Sequence, residues 1–144
     1  MVGLTAFVLL EQALLAADPA SYHAALADAQ VHRRPLLVLV GAQWCPGCQA
    51  MKQTVLPAAA RRGGLRAVSF ATVDVDAERE LAQQLMRGGA IPQLIVFSRT
   101  LDGKWHREQI TGETTESDVQ SLIARAIKAQ QAPPSVPLRS TVGD

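Results

Sequence analysis

The sequence has few aromatic residues, little net charge and only two cysteines, and each shortage excludes a class of function. Of its 144 residues, 4% are aromatic, and the formal net charge is +1 at pH 7. A nucleic-acid-binding role is not expected, because the chain has neither a basic field nor a set of stacking rings. No apolar run reaches the ~18–20 residues that a membrane-spanning helix requires. Two cysteines cannot build a dense disulfide framework or a four-cysteine zinc site.

The composition that is present suits one globular domain with short flanking segments. Hydrophobic residues make up 48% of the chain and charged residues 19%. These fractions, with a length close to the ~150 residues of one domain, argue against extensive disorder. We predict one domain over residues 20–128. The proline-containing stretch over 129–144 is predicted to be a disordered tail.

Residues 1–19 leave several interpretations open. Their short apolar run, Leu4–Leu10, is followed by small residues, as in a secretory signal or a membrane-proximal segment. No lysine or arginine precedes this run, and Glu11-Gln12 interrupts the apolar stretch. These departures leave open an additional helix packed on the domain, or a stretch that reflects only the chosen start of the chain.

Hydrophobic periodicity predicts alternating helices and strands. The unbroken apolar run Leu36–Val40 is typical of a strand that is buried on both faces, as in the middle of a parallel sheet. Residues 68–75 and Leu94–Phe97 supply two more strands. Asp102-Gly103 predicts a turn, after which residues 105–111 return as an antiparallel hairpin. The expected fold is α/β, with a mixed sheet of four to five strands and helices on both faces.

Helix boundaries follow from capping residues and helix breakers. The predicted N-caps each place a side-chain oxygen before a helical apolar pattern: Ser21, Asp76, and Thr114 or Thr115. Gly88-Gly89 is expected to end the helix after Asp76, because glycine accepts the left-handed conformation found after a helix. Another helix is predicted from Pro46, and Pro57 is expected to kink or end it.

The two cysteines lie in the segment Trp44-Cys45-Pro46-Gly47-Cys48, between the first strand and this helix. At the helix N-terminus, unpaired N–H groups and the helix dipole favour the thiolate of Cys45. Pro46 suits the first helical position, where its missing N–H has no partner to lose. Cys48 follows one turn later and is expected to be the more buried sulfur. The pattern predicts thiol–disulfide exchange, in which Cys45 attacks and Cys48 resolves the mixed disulfide.

Other interpretations of the pair are an inert structural disulfide, two buried thiols or a copper(I) site. His23, His32 and His106 lie outside the segment that carries the cysteines. Each is interpreted as a surface or boundary residue, because zinc needs three or four convergent ligands. The sequence therefore predicts no metal site and no cofactor.

Together with the cysteine motif, a series of landmarks in order resembles the thioredoxin superfamily. The further landmarks are Asp74-Val75-Asp76 after the second strand, Ile91-Pro92 before the third, Asp102-Gly103 in the hairpin and Gly112 before the last helix. The resemblance covers about residues 20–128. It implies a thioredoxin fold with an N-terminal helical extension, most similar to thioredoxin-like proteins of the bacterial cell envelope.

The resemblance also implies a cis peptide bond between Ile91 and Pro92 that faces the cysteines. The backbone at this edge would pair with an extended substrate segment, as in strand addition. The residues implied to contact substrate are Trp44, Pro46, Gly47, Ile91 and Pro92.

The sequence departs from the thioredoxin pattern at the proton acceptor and within the motif. The buried aspartate that thioredoxins carry on the first strand corresponds to Leu39, and the lysine often paired with it falls at about Phe70. The proton acceptor for Cys48 is therefore unassigned. Proline follows the first cysteine, as in glutaredoxins and periplasmic disulfide oxidants, so the motif does not fix the direction of electron flow.

The predicted function is that of a monomeric thiol–disulfide oxidoreductase. Its expected partners are protein thiols and disulfides, and a redox protein that reduces or oxidises it. One alternative is a non-catalytic thioredoxin-fold module that binds a peptide or copper(I). Another is a glutathione-using transferase or peroxidase on the same fold. The N-terminal segment favours a bacterial periplasm or envelope location, with the cytoplasm as the alternative.

Overall fold

The computed structural model describes residues 21–133. The predictions made for residues 1–19, and for residues 134–144 of the tail, lie outside these described residues. The elements in chain order are α1 (Tyr22–His32), β1 (Leu36–Gly41), α2 (46–61), β2 (Ser69–Asp74), α3 (Arg79–Leu85), β3 (Gln93–Arg99), β4 (Trp105–Thr111) and α4 (Glu116–Gln131). Within residues 21–133, no helix combines the length and apolar character needed to cross a membrane.

The four strands form one mixed sheet in the order β2-β1-β3-β4. Strand β1 pairs in parallel with β2 and antiparallel with β3, and β3 pairs antiparallel with β4. Gly103, with φ of 81°, lies between β3 and β4 at the predicted turn. The mixed sheet, the hairpin and the strand-helix-strand crossover that were predicted from the sequence are confirmed.

Both faces of the sheet are covered, and β1 contributes to the core on each side. All six residues of β1 are buried. Leu37 and Leu39 face a core with α2 and α4. Leu36, Val38 and Val40 face a second core with α1 and α3. Burial of each such side chain contributes about 1.5–3 kcal/mol, so the apolar run holds β1 in the middle of the molecule and fixes where the segment after it emerges.

Helix α2 continues past Pro57, where a kink or an end was expected. It consists of an α-helical stretch (Pro46–Ala50), a π-helical turn (Met51–Val55) and a second α-helical stretch (Leu56–Arg61). In the wider turn the N–H of Leu56 donates to the carbonyl of Met51, five residues earlier. Pro57 then occupies the start of the next stretch, where the loss of an N–H donor costs little.

The prediction that Asp76 caps α3 is wrong. The carboxylate of Asp74 accepts the N–H groups of Asp76 and Ala77 at 2.8 and 3.0 Å. This local turn delays the helix, which has Glu78 at its N-cap. Helix α3 ends at Leu85 because Met86 is already extended, so the two glycines that follow do not end it.

The other predicted caps are confirmed. The Ser21 hydroxyl accepts the N–H of Ala24 at the start of α1. Of the two threonines considered for the last helix, Thr115 is the N-cap of α4, in a reciprocal capping box with Asp118. Helix α4 runs to Gln131, past the predicted domain boundary at residue 128.

Candidate active site

Cys45 and Cys48 form a disulfide at the N-terminus of α2, with their Cα atoms 5.2 Å apart. Cys45 is the N-cap residue, and its Sγ accepts the N–H of Cys48 at 3.2 Å. Cys45 is 7% exposed and Cys48 4%, so both residues are buried. An N-terminal N–H group and the helix dipole therefore point at Cys45, and both favour negative charge on its sulfur.

Gly41, the last residue of β1, makes room for Cys48. A Cβ atom at Gly41 would lie 2.8 Å from the Sγ and 2.9 Å from the Cβ of Cys48. No side chain other than hydrogen therefore fits between β1 and the buried cysteine without a displacement. The sequence analysis missed this residue, although a glycine that ends a buried strand is the signal expected where another group approaches closely.

The Ile91–Pro92 bond is cis, as the resemblance implied. Ile91 packs against the small cluster formed by Ala42, Cys45 and Cys48. The carbonyl of Pro92 accepts the N–H of Gly112 at 2.8 Å. The structure therefore brings together the cysteine motif, the Ile91–Pro92 edge and the glycine that precedes the last helix.

Trp44 lies on the surface next to the disulfide. Its side chain is 69% exposed, so Trp44 is not a core residue. Its indole Nε1–H donates to Oδ2 of Asp76 at 2.8 Å. Asp76 therefore holds the tryptophan beside the cysteine motif. The carboxylate predicted to cap a helix has this role instead.

The Glu113 side chain lies against the turn between the cysteines. A Cβ at Gly47 would be 2.9 Å from both Cγ and Oε1 of Glu113, so Gly47 allows this close approach. Pro46 is exposed and Gly47 half-buried. The sequence analysis did not identify Glu113 because it lies next to Gly47 only in the folded chain.

A cavity of about 60 Å³ adjoins Cys48. Its lining includes Leu39, Lys52, Thr72 and Asp74, and its volume is enough for water. In the parallel register Leu39 lies beside Thr72, and Phe70 lies beside Leu37. Neither residue 70 nor residue 72 is a lysine.

The histidines occupy surface or boundary positions, as interpreted from the sequence. His32 pairs with Asp28 at 2.9 Å, and His106 pairs with Glu108 at 3.0 Å, while His23 is exposed. Over residues 21–133, no three His, Cys, Asp or Glu side chains converge in a group able to hold a metal ion.

The chain is similar in sequence to a family model and to a known plant protein. Residues 17–98 match a family model described as thioredoxin-like. The chain is 36% identical over 93 residues to "Probable 5'-adenylylsulfate reductase 1, chloroplastic" from Oryza sativa subsp. japonica. That alignment covers 62% of this chain but only 18% of the rice protein, so the similarity concerns one part of a much longer chain.

Two solved structures show that the similarity extends to the fold. A thioredoxin from Thermus thermophilus superposes with a TM-score of 0.64 at 26% identity, covering 76% of this chain and 86% of that one. A protein called Trxlp from Edwardsiella tarda EIB202 superposes with a TM-score of 0.57 at 28% identity, covering 73% of this chain and 95% of that one. With the cysteine pair at a helix N-terminus and the cis-proline edge beside it, these matches show that the chain belongs to the thioredoxin-like family.

Proposed function

We propose that this protein exchanges disulfides with partner proteins through Cys45 and Cys48. The observation that carries the proposal is the position of Cys45, which caps α2 with Cys48 in bonding contact and Ile91 packed against the pair. The rice relative is named as a reductase, which supports an oxidoreductase activity. The chain spans 18% of that relative, and reduction of adenylylsulfate itself is not part of the proposal.

In the reducing direction, the Cys45 thiolate attacks one sulfur of a partner disulfide. A Cys45–partner sulfur bond forms, the partner's S–S bond breaks, and its second sulfur leaves as a thiolate and takes up a proton. The Cys48 thiol loses its proton and attacks the Cys45 sulfur. This step forms the Cys45–Cys48 disulfide and releases the first partner sulfur as a thiolate. Two electrons have then passed to the partner.

The surroundings of the pair support each step. The N–H of Cys48 and the dipole of α2 stabilise the attacking thiolate. Ile91 packs against the cysteine pair, and an extended partner segment can pair with its backbone as an added strand. Pro92 has no N–H and its carbonyl already accepts the Gly112 N–H, so Pro92 shapes this edge without pairing. Leu39 supplies no acid, and the cavity beside Cys48, whose lining includes the polar side chains of Lys52 and Asp74, is the route we assign to the Cys48 proton.

The test is insulin reduction by the dithiol form, with cysteine variants as the controls. We expect the wild-type protein to reduce insulin with dithiothreitol as electron donor. Cys48→Ser should accumulate a mixed disulfide with the substrate, and Cys45→Ser should form none. A protein without turnover that forms no mixed disulfide would instead be a binding module. Activity that depends on glutathione or peroxide would favour the transferase or peroxidase alternative.

The equilibrium reduction potential then assigns the direction of electron flow. A value near about −270 mV would mark a reductant, and a value near about −120 mV an oxidant. A location in the bacterial periplasm or envelope is proposed on the basis of residues 1–19 alone. Amino-terminal sequencing of the protein from its host's periplasmic fraction would test that prediction.

A further inference from the structure

Gln93 is a buried polar residue that disulfide exchange does not use chemically. It is the first residue of β3, with its side chain fully buried. Its neighbours across the sheet are Val40 of β1 and Thr111 of β4. A buried amide is costly unless its donors and acceptor are hydrogen-bonded. The partners of this amide therefore show what the residue does.

All the side-chain hydrogen bonds of Gln93 go to the backbone of residues 87–90. Its Oε1 accepts the N–H of Arg87 at 3.2 Å. The two N–H donors of its Nε2 are shared among three carbonyls, those of Arg87 at 3.1 Å, Gly88 at 3.2 Å and Ala90 at 3.0 Å. One side chain thus holds most of the short loop that connects α3 to the Ile91–Pro92 edge.

Packing contributes little to the order of this loop. A Cβ placed at Gly88 or at Gly89 would meet no heavy atom within 4 Å. Among residues 21–133, one further side chain bonds the backbone of residues 87–90: Gln109 donates to the Arg87 carbonyl at 3.3 Å. Without the Gln93 amide the loop would keep few of its restraints.

We infer that Gln93 is the positioning residue that sets the Ile91–Pro92 edge against the cysteine pair. This edge is anchored after the proline by the Gly112 N–H, which donates to the Pro92 carbonyl. It is anchored before Ile91 by Gln93 through the loop. The inference rests on the proposed function, since a docking edge has meaning only for a protein that takes a partner segment.

The test compares Gln93→Met with Val96→Ala, using the full chain. Methionine has nearly the same length as glutamine and lacks the amide. Val96 lies on the same strand and faces the opposite core, so its truncation disturbs β3 without touching the loop. Each variant is assayed for reduction of insulin and of hydroxyethyl disulfide, a small substrate that needs no strand pairing. Hydrogen exchange at the Arg87 amide reports on the loop directly.

For Gln93→Met we expect kcat/KM for insulin to fall about 10- to 100-fold, mostly through KM, because a displacement of about 1 Å in a positioning group has effects of this size. Its kcat/KM for hydroxyethyl disulfide should change less than about twofold. Exchange of the Arg87 amide should accelerate at least about tenfold. Val96→Ala should leave kcat/KM for both substrates, and the exchange rate of the Arg87 amide, near the wild-type values.

Gln93→Asn keeps the amide but is one methylene shorter, and it serves as the second variant if the methionine variant does not fold. It should show the same selective loss for insulin to a smaller degree. Equal losses for both substrates, or unchanged insulin kinetics, would overturn the inference alone. A wild-type protein that reduces neither substrate would overturn the proposed function, and the inference with it.

Discussion

Gly41→Ala tests whether the end of β1 is shaped around Cys48. The added Cβ would lie 2.8 Å from Cys48 Sγ and 2.9 Å from Cys48 Cβ, where 3.4–4 Å is ordinary contact. Gly41 is buried at the end of a fully buried strand, so neither partner can move into solvent. Overpacking of this kind costs about 1–3 kcal/mol, and we expect the unfolding free energy of the oxidised protein to fall by that amount.

Part of this cost depends on the redox state. In the disulfide the Cys48 sulfur is tied to Cys45, whereas in the dithiol it is free to rotate away from the new methyl group. The contact with Cys48 Cβ persists in both states. If about half of the strain is relieved on reduction, the oxidised form loses about 0.5–1.5 kcal/mol relative to the reduced form. This difference raises the reduction potential by about 10–30 mV.

The assay is equilibration in glutathione redox buffers, followed by acid quenching and mass analysis of alkylated thiols. Gly89→Ala is the matched control, because a Cβ there would meet nothing within 4 Å. A Gly41→Ala protein with the potential and the unfolding midpoint of the wild type would show that Gly41 and Cys48 are not in close contact, and the reasoning would fail.

Three further predictions concern groups around the site and the last helix. Asp76→Ala removes the acceptor of the Trp44 indole N–H; we expect greater quenching of Trp44 fluorescence by acrylamide, and an unchanged quenching constant would contradict this contact. Glu113→Gln removes a negative charge beside Gly47; because a neighbouring carboxylate disfavours a thiolate, we expect iodoacetamide to alkylate the reduced Cys45 faster in the variant than in the wild type at the same pH, and slower alkylation would contradict this. Thr115→Ala should reduce the unfolding free energy by about 1 kcal/mol at pH 7. A hydrogen bond from Thr115 lowers the pKa of Asp118. The stabilisation from this bond is therefore present above the ordinary aspartate pKa and is lost as the pH falls through the lowered pKa. Urea titrations should show a smaller difference in unfolding free energy between Thr115→Ala and wild type at pH 2 than at pH 7.

The sequence predicted those features that depend on neighbouring residues along the chain. Five apolar residues in succession, Leu36–Val40, required a strand covered on both faces, and β1 is such a strand. Asp102-Gly103 required a tight turn. Cys45-Pro46 predicted the start of a helix, because Cys45 can act as its N-cap and Pro46 suits its first turn. In each case the sequence pattern that makes the prediction spans only a few residues.

The failed predictions have a common cause: several side chains can bond the same backbone groups, and the sequence pattern does not show which of them does. Asp76 has the side chain of an N-cap, but the carboxylate of Asp74 accepts the N–H groups of Asp76 and Ala77. The indole of Trp44, 32 residues earlier, then took the Asp76 carboxylate. Pro57 was compatible with a kinked, ended or locally widened helix, and the π-helical turn before it decided the outcome.

The residues missed at the site act across the fold. A glycine at the end of a buried strand signals that some group approaches closely, but the sequence around Gly41 does not identify that group as Cys48. Gln93 looks like a polar interruption before an apolar strand. Both roles depend on which strands become neighbours at this end of the sheet. That choice is made by burial over the whole molecule, so it cannot be obtained from periodicity within one segment.

The disulfide therefore sits in a frame whose parts are each fixed by a separate contact. Trp44 is held by Asp76, the loop over residues 87–90 by Gln93, and the Pro92 carbonyl by Gly112. A pre-organised edge lowers the ordering cost that a flexible partner would otherwise meet on binding. The proposed sulfur chemistry, in contrast, depends on α2 and on the space left by Gly41. Under the proposed function, docking and exchange therefore depend on different contacts, and we expect substitutions to impair one while sparing the other.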